Sequence, residues 1–208
     1  MRQSNKKIYR KKDEILKFFR DQHIVYLKRT QIGWEPLRKM NLENSPYYLE
    51  NKELFQELST RYHEDIEKGN LAPVYIKRIS EKLGFGVFVA DEIKKDDFIG
   101  EYAGVVQIPE KDAGEEVEEG GYESDFSWYY LDKIEGGPEL EINGRFEGNE
   151  MRFVNHSDNF NVDVEHTIHD GHWIIFFKAA RDILKNEQLF ISYGDDYWDE
   201  DCRKCFEL

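Results

Sequence analysis

Four short segments of this 208-residue sequence hold the residue types from which a site could be built. Arg152-Phe153-Val154-Asn155-His156-Ser157 gathers a cation, an amide, an imidazole and a hydroxyl in one run, and Ile191-Ser192-Tyr193-Gly194 adds a phenol further along. Upstream lie Gly84-Phe85-Gly86-Val87-Phe88 and Glu101-Tyr102-Ala103-Gly104. Taken alone, Gly84-Phe85-Gly86 lacks the third glycine of a dinucleotide fingerprint and no clear strand-turn-helix frames it, so by itself it reads as a turn. Asn155-His156-Ser157-Asp158 holds hydrolase-like side chains, but neighbours in sequence seldom converge and no nucleophile elbow surrounds them, so by itself it reads as a loop with capping residues.

Metal chemistry is weighed at two further points. His166, His169 and His172 recur every third residue around Asp170-Gly171, but a strand alternates its faces and the turn is exposed, so no metal is expected there. Cys202 and Cys205 supply two thiolates without the other ligands of a tetrahedral structural zinc. A disulfide between them would close only a tiny loop, which argues for a reducing compartment.

The elements that must position these segments show as changes of texture. The first dozen residues hold six cations and no acid, the pattern of a solvated basic arm or a nucleic-acid contact. From Asp13, a residue able to cap, the apolar Ile15, Leu16, Phe18 and Phe19 and then Ile24, Val25 and Leu27 recur near helical spacing, which predicts one or two helices. Gly33-Trp34-Glu35-Pro36 breaks the pattern. Ser45-Pro46 opens a second helical stretch over Leu49, Leu54, Phe55, Leu58, Tyr62 and Ile66, ending before Gly69-Asn70.

After Pro73 the runs become short, β-branched and aromatic: Val74-Tyr75-Ile76, Val87-Phe88-Val89, Phe98-Ile99-Gly100-Glu101-Tyr102 and Trp173-Ile174-Ile175-Phe176-Phe177 are predicted strands. Asp170-Gly171 is a two-residue hairpin signal between the last of these and the run from Val162 to Ile168. Residues 110–121, with six acids and three glycines, read as a surface loop. The fold class is α+β: a helical N-terminal extension (1–72), a β-rich core of short strands (73–194) and a C-terminal segment (195–208).

In order and spacing the four segments resemble the signature of SET-domain protein lysine methyltransferases, over roughly residues 73–198. The resemblance implies a SET core in which Gly84, Phe85 and Gly86 form a backbone platform for S-adenosylmethionine, glycine serving where a ligand approaches the main chain. It implies that Asn155 and His156 grip the cofactor and that Tyr193 is the catalytic tyrosine of the lysine channel. Arg152 either contacts the cofactor carboxylate or anchors its loop in a salt bridge. Tyr197, Trp198 and Phe206 are candidates to cover the cofactor and complete the channel, against a reading as packing residues of a terminal segment. A second channel tyrosine is implied before the Asn-His segment; Ser127 or Trp128 falls at its position, leaving Tyr122, Tyr129 and Tyr130 as candidates.

Two departures from the family pattern matter. Ile191 stands where Phe or Tyr is common and has no hydroxyl to hold a water, which points to di- or trimethyllysine as product. Many SET proteins close the channel with zinc held by three C-terminal cysteines and one more after the Asn-His-Ser block, but Asp158 occupies that position here and only two cysteines exist. Zinc within one chain is therefore not expected, and a zinc shared through both Cys pairs is the route to a homodimer. Methyl transfer to an amine is an in-line displacement that needs alignment and a neutral lysine, and no metal or covalent nucleophile. Lacking cysteine-rich modules, the chain resembles the compact bacterial or viral members.

Charge narrows the partners. The net charge of -14 conceals 17 Lys/Arg against 11 Asp/Glu in residues 1–80 and 12 against 32 in residues 81–208. The acidic part repels nucleic-acid phosphates and attracts basic polypeptides, so charge favours a Lys-rich protein tail over nucleic acid, against a reading in which the acids only keep the chain soluble. With the resemblance, a histone-like tail is the expected substrate and direct nucleic-acid binding is not expected. The alternatives are a catalytically idle SET fold that binds a basic protein, and an adaptor that binds nucleic acid through its basic first 80 residues. No apolar run approaches the roughly 18 residues of a membrane span, and no signal-peptide core follows the first residues. The expected location is the cytoplasm, or a host cell and its nucleus for the product of an intracellular bacterium.

Overall fold

The structure, a computed structural model, describes residues 7–109, 126–131, 134 and 136–192. In chain order the elements begin with β1 (Ile8–Tyr9), α1 (Lys12–Asp21), β2 (Val25–Tyr26), β3 (Gln31–Ile32), α2 (Pro46–Glu50) and α3 (Lys52–Lys68). They continue with β4 (Val74–Ser80), β5 (Gly84–Val89), β6 (Phe98–Glu101), β7 (Val105–Gln107), β8 (Ser127–Tyr129), β9 (Glu141–Asn143) and β10 (Glu147–Gly148). A 3-10 turn at Glu150–Phe153 leads to β11 (Asn155–His156), β12 (Val162–His169), β13 (His172–Ala179) and β14 (Phe190–Ile191). The acidic run 110–121 falls outside the described residues.

The strands form small sheets rather than one large one. β1-β4-β5 and β12-β13-β6 are three-stranded, β3-β7-β9-β8 is four-stranded, and β2 with β10 and β11 with β14 are parallel pairs. The N-terminal extension is helical as expected and also enters the sheets: β1 pairs with β4, β2 with β10 and β3 with β7.

In α1, Ile15, Phe18 and Phe19 fall at the i, i+3, i+4 spacing of one helix face and are buried. The helix start is secured by Glu14 rather than Asp13. The Glu14 carboxylate accepts from the backbone N–H of Lys11 at 3.2 Å and of Arg10 at 3.1 Å, and these bonds hold it below the usual carboxylate range. Ile24, Val25 and Leu27 do not continue the helix. The helix ends at Asp21 with Gln22 as its C-cap, His23 turns with φ 58°, and Val25 and Tyr26 extend alongside Glu147 and Gly148. Here tertiary pairing overrides a helix-like spacing too short to hold on its own.

Ser45 caps α2 by accepting from Tyr48 N at 3.3 Å, with Pro46 in the first turn, as the sequence predicts. The buried positions of α3 are Phe55, Leu58, Tyr62 and Ile66, and Gly69 at φ 59° closes it with a left-handed cap. Leu58, Tyr62 and Ile66 pack on Ile174 and Phe176 of β13, while Trp173, Ile175 and Phe177 of the same strand enter the main core with Tyr102, Val106, Ile142 and Met151. Burial on both faces explains the unbroken apolar run of β13. Asp170 (φ 51°) and Gly171 (φ 79°) make the tight hairpin turn between β12 and β13.

α1 packs where the candidate site begins. The Phe18 ring lies 4.7 Å from Phe85 and 5.5 Å from Phe153, centroid to centroid, so the helix presses on the glycine segment and on the turn before Asn155. Phe18→Ala is expected to cost about 3–5 kcal/mol of stability, read from the urea unfolding midpoint. A midpoint equal to that of the parent would mean α1 does not hold these two segments.

Candidate active site

Each glycine of Gly84-Phe85-Gly86 is required for its own reason. Gly84 sits at φ 63°, a left-handed conformation costly to other residues. Gly86 is required by space: a Cβ there would come within 2.8 Å of Gln188 Nε2 and Ile79 Cδ1, and 3.2 Å of Asn155 Nδ2. The same crowding reveals the convergence. Asn155 Nδ2 donates to the Phe85 carbonyl at 3.0 Å, binding β11 to β5.

β11 runs parallel to β14, with Asn155 opposite Phe190 and His156 opposite Ile191, and Ser157 N donates to the Ile191 carbonyl at 3.0 Å. The His156 imidazole is half-buried with Nε2 at 3.3 Å from Asp158, itself fully exposed. Ile191 is buried in the main core. The structure thus brings Phe85, Gly86, Asn155, His156 and Ile191 together, and Ser192 next to them leads to Tyr193. Tyr193, Tyr197, Trp198, Cys202, Cys205, Phe206 and Tyr122 lie outside the described residues.

Arg152 is buried among carbonyls and rings. Nε donates to Gly144 O at 2.7 Å, a terminal nitrogen donates to Arg145 O at 3.0 Å, and the guanidinium sits 4.0 Å from the Phe126 ring centroid and 4.7 Å from that of Phe153. Burial draws its pKa down to about 10, which still leaves it charged at neutral pH. Among the described residues it has no carboxylate partner, and carbonyls anchor its loop.

The tyrosine candidates separate. Tyr129 is 64% exposed on β8, whereas Tyr130 is buried and its hydroxyl accepts from Trp173 N at 3.0 Å. The Tyr102 hydroxyl donates to the Phe126 carbonyl at 2.7 Å, tying the Glu101-to-Gly104 segment to the approach to β8. The three histidines take separate partners: His166 meets the Tyr47 hydroxyl at 2.8 Å, His169 meets Glu67 at 2.8 Å, and His172 meets the Leu37 carbonyl at 2.9 Å.

Sequence reasoning missed three residues that shape the site. Gln188 closes the space over Gly86. The side chain of Asn161, buried, donates to Gln188 O at 2.8 Å and accepts from Phe190 N at 2.8 Å, and so fixes the chain entering β14. Glu150, also buried, accepts from the Tyr26 hydroxyl at 2.8 Å and lies 3.6 Å from Lys12; burial, with Glu150 beside it, raises the ionisation of that phenol far above its usual range. None of these belongs to a spacing pattern.

Residues 84–194 match the SET domain family, and the chain belongs to it. It is 27% identical over 118 residues to the histone-lysine N-methyltransferase EZH2 of Chaetomium thermophilum, covering 56% of this chain and 8% of that protein. It is 31% identical over 128 residues to the histone-lysine N-methyltransferase ASHH3 of Arabidopsis thaliana, covering 59% and 33%, and 35% identical over 114 residues to MEDEA of the same plant, covering 55% and 16%. The chain therefore spans a third or less of these relatives. A solved structure of ATXR5 in complex with a mono-methylated histone H3.1 shares the fold, with a TM-score of 0.62 at 18% identity over 89% of this chain and 87% of that one.

Gly86→Ala is expected to destabilise the fold by about 1–3 kcal/mol, because the added methyl must displace the amides of Gln188 and Asn155. Chemical unfolding reads the effect; a stability equal to the parent's would show that this contact yields freely.

Proposed function

We propose that the chain is an S-adenosylmethionine-dependent protein lysine N-methyltransferase acting on a basic, histone-like protein. The observation that carries this reading is the 3.0 Å hydrogen bond from Asn155 to the Phe85 carbonyl, which joins the glycine platform to the Asn-His strand in a chain of the SET family. Support for the substrate class comes from the relatives, which are histone-lysine N-methyltransferases, and from the histone bound to ATXR5. The acidic surplus of residues 81–208 supports it independently, since it concentrates basic polypeptides near the site.

The residues present suit the cofactor. The backbone at Gly84 has open space where its Cβ would be, Asn155 Oδ1 accepts no hydrogen bond among the described residues, and the Arg152 cation lacks a carboxylate there. Uncovered main chain, an acceptor for an ammonium and a cation for a carboxylate match a ligand with an amino-acid end. When bound, S-adenosylmethionine supplies an electrophilic methyl group. Asn155, His156 and the glycine platform hold it, and Trp198 is assigned to cover it. Tyr193 is assigned the hydroxyl that orients the lysine amine, with Tyr197 and Ile191 lining the channel and one of Tyr129 and Tyr130 as its second tyrosine. Exclusion of water and the neighbouring positive charge favour the neutral, nucleophilic amine, and alignment in a narrow channel lowers the barrier.

Tyr193→Phe keeps the ring and removes the hydroxyl, so turnover is expected to fall about tenfold or more with unchanged cofactor affinity. Unaltered methylation kinetics would remove Tyr193 from the mechanism. Asn155→Ala is expected to weaken cofactor binding by about 1–3 kcal/mol in calorimetry, and parental affinity would refute its role.

The same reading takes Ile191 as the residue that sets the product. Mass spectrometry of a prolonged reaction is expected to find di- or trimethyllysine. A product that stops at one methyl, with Ile191→Tyr making no difference, would show that Ile191 does not shape the pocket.

A further inference from the structure

α3 and the β12–β13 hairpin meet at a cluster that the methyl-transfer reading leaves unused. His169 is 7% exposed, and its Nε2 lies 2.8 Å from Glu67 Oε2 and 3.4 Å from Asp170 Oδ2. One ligand atom from each of the three lies within 4.8 Å of the others. His63 stands one turn before Glu67 on α3, with its ring centroid 5.8 Å from that of His169. Two imidazoles sharing one tetrahedral metal at about 2.0 Å stand on the order of 5–6 Å apart between ring centres, so His63, whose nitrogens lie outside the close group of Glu67, His169 and Asp170, comes within reach of a common ion by turning its ring.

The cation now facing these carboxylates is Arg29. Its guanidinium nitrogens lie 3.4 Å from Asp170 Oδ2 and 3.7 Å from Glu67 Oε2, while its Nε is 4.0 Å from Glu101 Oε2. Glu101 is 1% exposed and accepts from Thr30 N at 2.6 Å through Oε1, but its Oε2 is buried with no hydrogen-bond partner among the described residues. Burial pushes the Glu101 carboxyl above its usual range, against the hydrogen bonds of Thr30 and the charge of Arg29. Arg29 therefore has a second, unsatisfied acceptor directly within its reach.

We propose that Glu67, His169 and Asp170, with His63 as fourth ligand, bind a divalent transition metal of the zinc class, and that Arg29 turns from the two carboxylates onto Glu101 when the metal enters. Imidazole together with carboxylate selects such an ion over calcium or magnesium, which prefer oxygen alone. Nε2 of His169 must be free of its proton to coordinate, and that proton leaves to solvent. The ion clamps the C-terminal part of α3 to the hairpin. Of the three histidines around the turn only His169 takes part, and two of its co-ligands, Glu67 and His63, come from α3, which is why spacing within the hairpin argued against a metal. The site is independent of the methyl-transfer reading.

The test is a titration of cobalt(II) into the full chain carrying Cys202→Ser and Cys205→Ser, followed by calorimetry and visible absorption. One ion per chain is expected. Affinity should fall about tenfold or more in Glu67→Gln and in Asp170→Asn, both exposed side chains, with unchanged circular dichroism. It should rise in Arg29→Gln, which removes the competing cation. Absence of binding at millimolar cobalt, or parental affinity in both carboxylate variants, would overturn the site. Weaker or unchanged binding in Arg29→Gln would overturn the exchange of partners.

Discussion

Two residues of parallel backbone pairing, Asn155 with Phe190 and His156 with Ile191, govern the geometry of everything around them. Parallel neighbours need a long connection, and here the whole β12–β13 hairpin lies between them. A ladder this short cannot hold by its own hydrogen bonds. Asn161 reinforces it by donating to Gln188 O and Glu187 Oε1 and accepting from Phe190 N, a buried amide using donor and acceptor together. Asn155 then extends the arrangement sideways to the Phe85 carbonyl. The placing of the glycine segment, of the Asn-His pair and of the strand before Tyr193 thus follows from one pairing and the side chains that brace it.

Buried acids tie the N-terminal extension to this centre. Glu150, in the turn carrying Arg152, meets Tyr26 of β2 and Lys12 of α1. Glu101, in the segment before Tyr102, meets the Thr30 N–H and faces Arg29. Each acid belongs to the core and each partner to the extension, and a buried carboxylate loses much of its stability when its partner is removed. Together with the aromatic packing of Phe18 on Phe85 and Phe153, these contacts make the extension part of what holds the site.

Much of this was legible in the sequence, and the pattern of success is physical. The buried faces of α1 and α3, the apolar run of β13 and the Asp170-Gly171 turn repeat a period or a turn chemistry long enough to be read. β2 and β3 are only two residues each and exist because β10 and β7 lie beside them, so no period announces them. The four motif segments were found by order and type. Their mutual geometry was not: nothing in the composition around Gln188 or Asn161 signals its part, and Arg152 took carbonyl partners that no side-chain motif encodes. His169 and His172 stand opposite each other at the end of the hairpin and are kept apart by their different partners rather than by strand alternation, while the meeting of His169 with His63 and Glu67 depends on tertiary packing of α3.

The central claim is that a SET-family chain with this joined platform transfers methyl groups to lysine in a basic protein. It is tested most directly by incubating the chain with methyl-labelled S-adenosylmethionine and a mixture of histones, hydrolysing the labelled protein and identifying the labelled residue. The account predicts label in methyllysine. Cofactor and histone bound together, with no label in lysine, would contradict it and leave a fold that binds basic protein without catalysis.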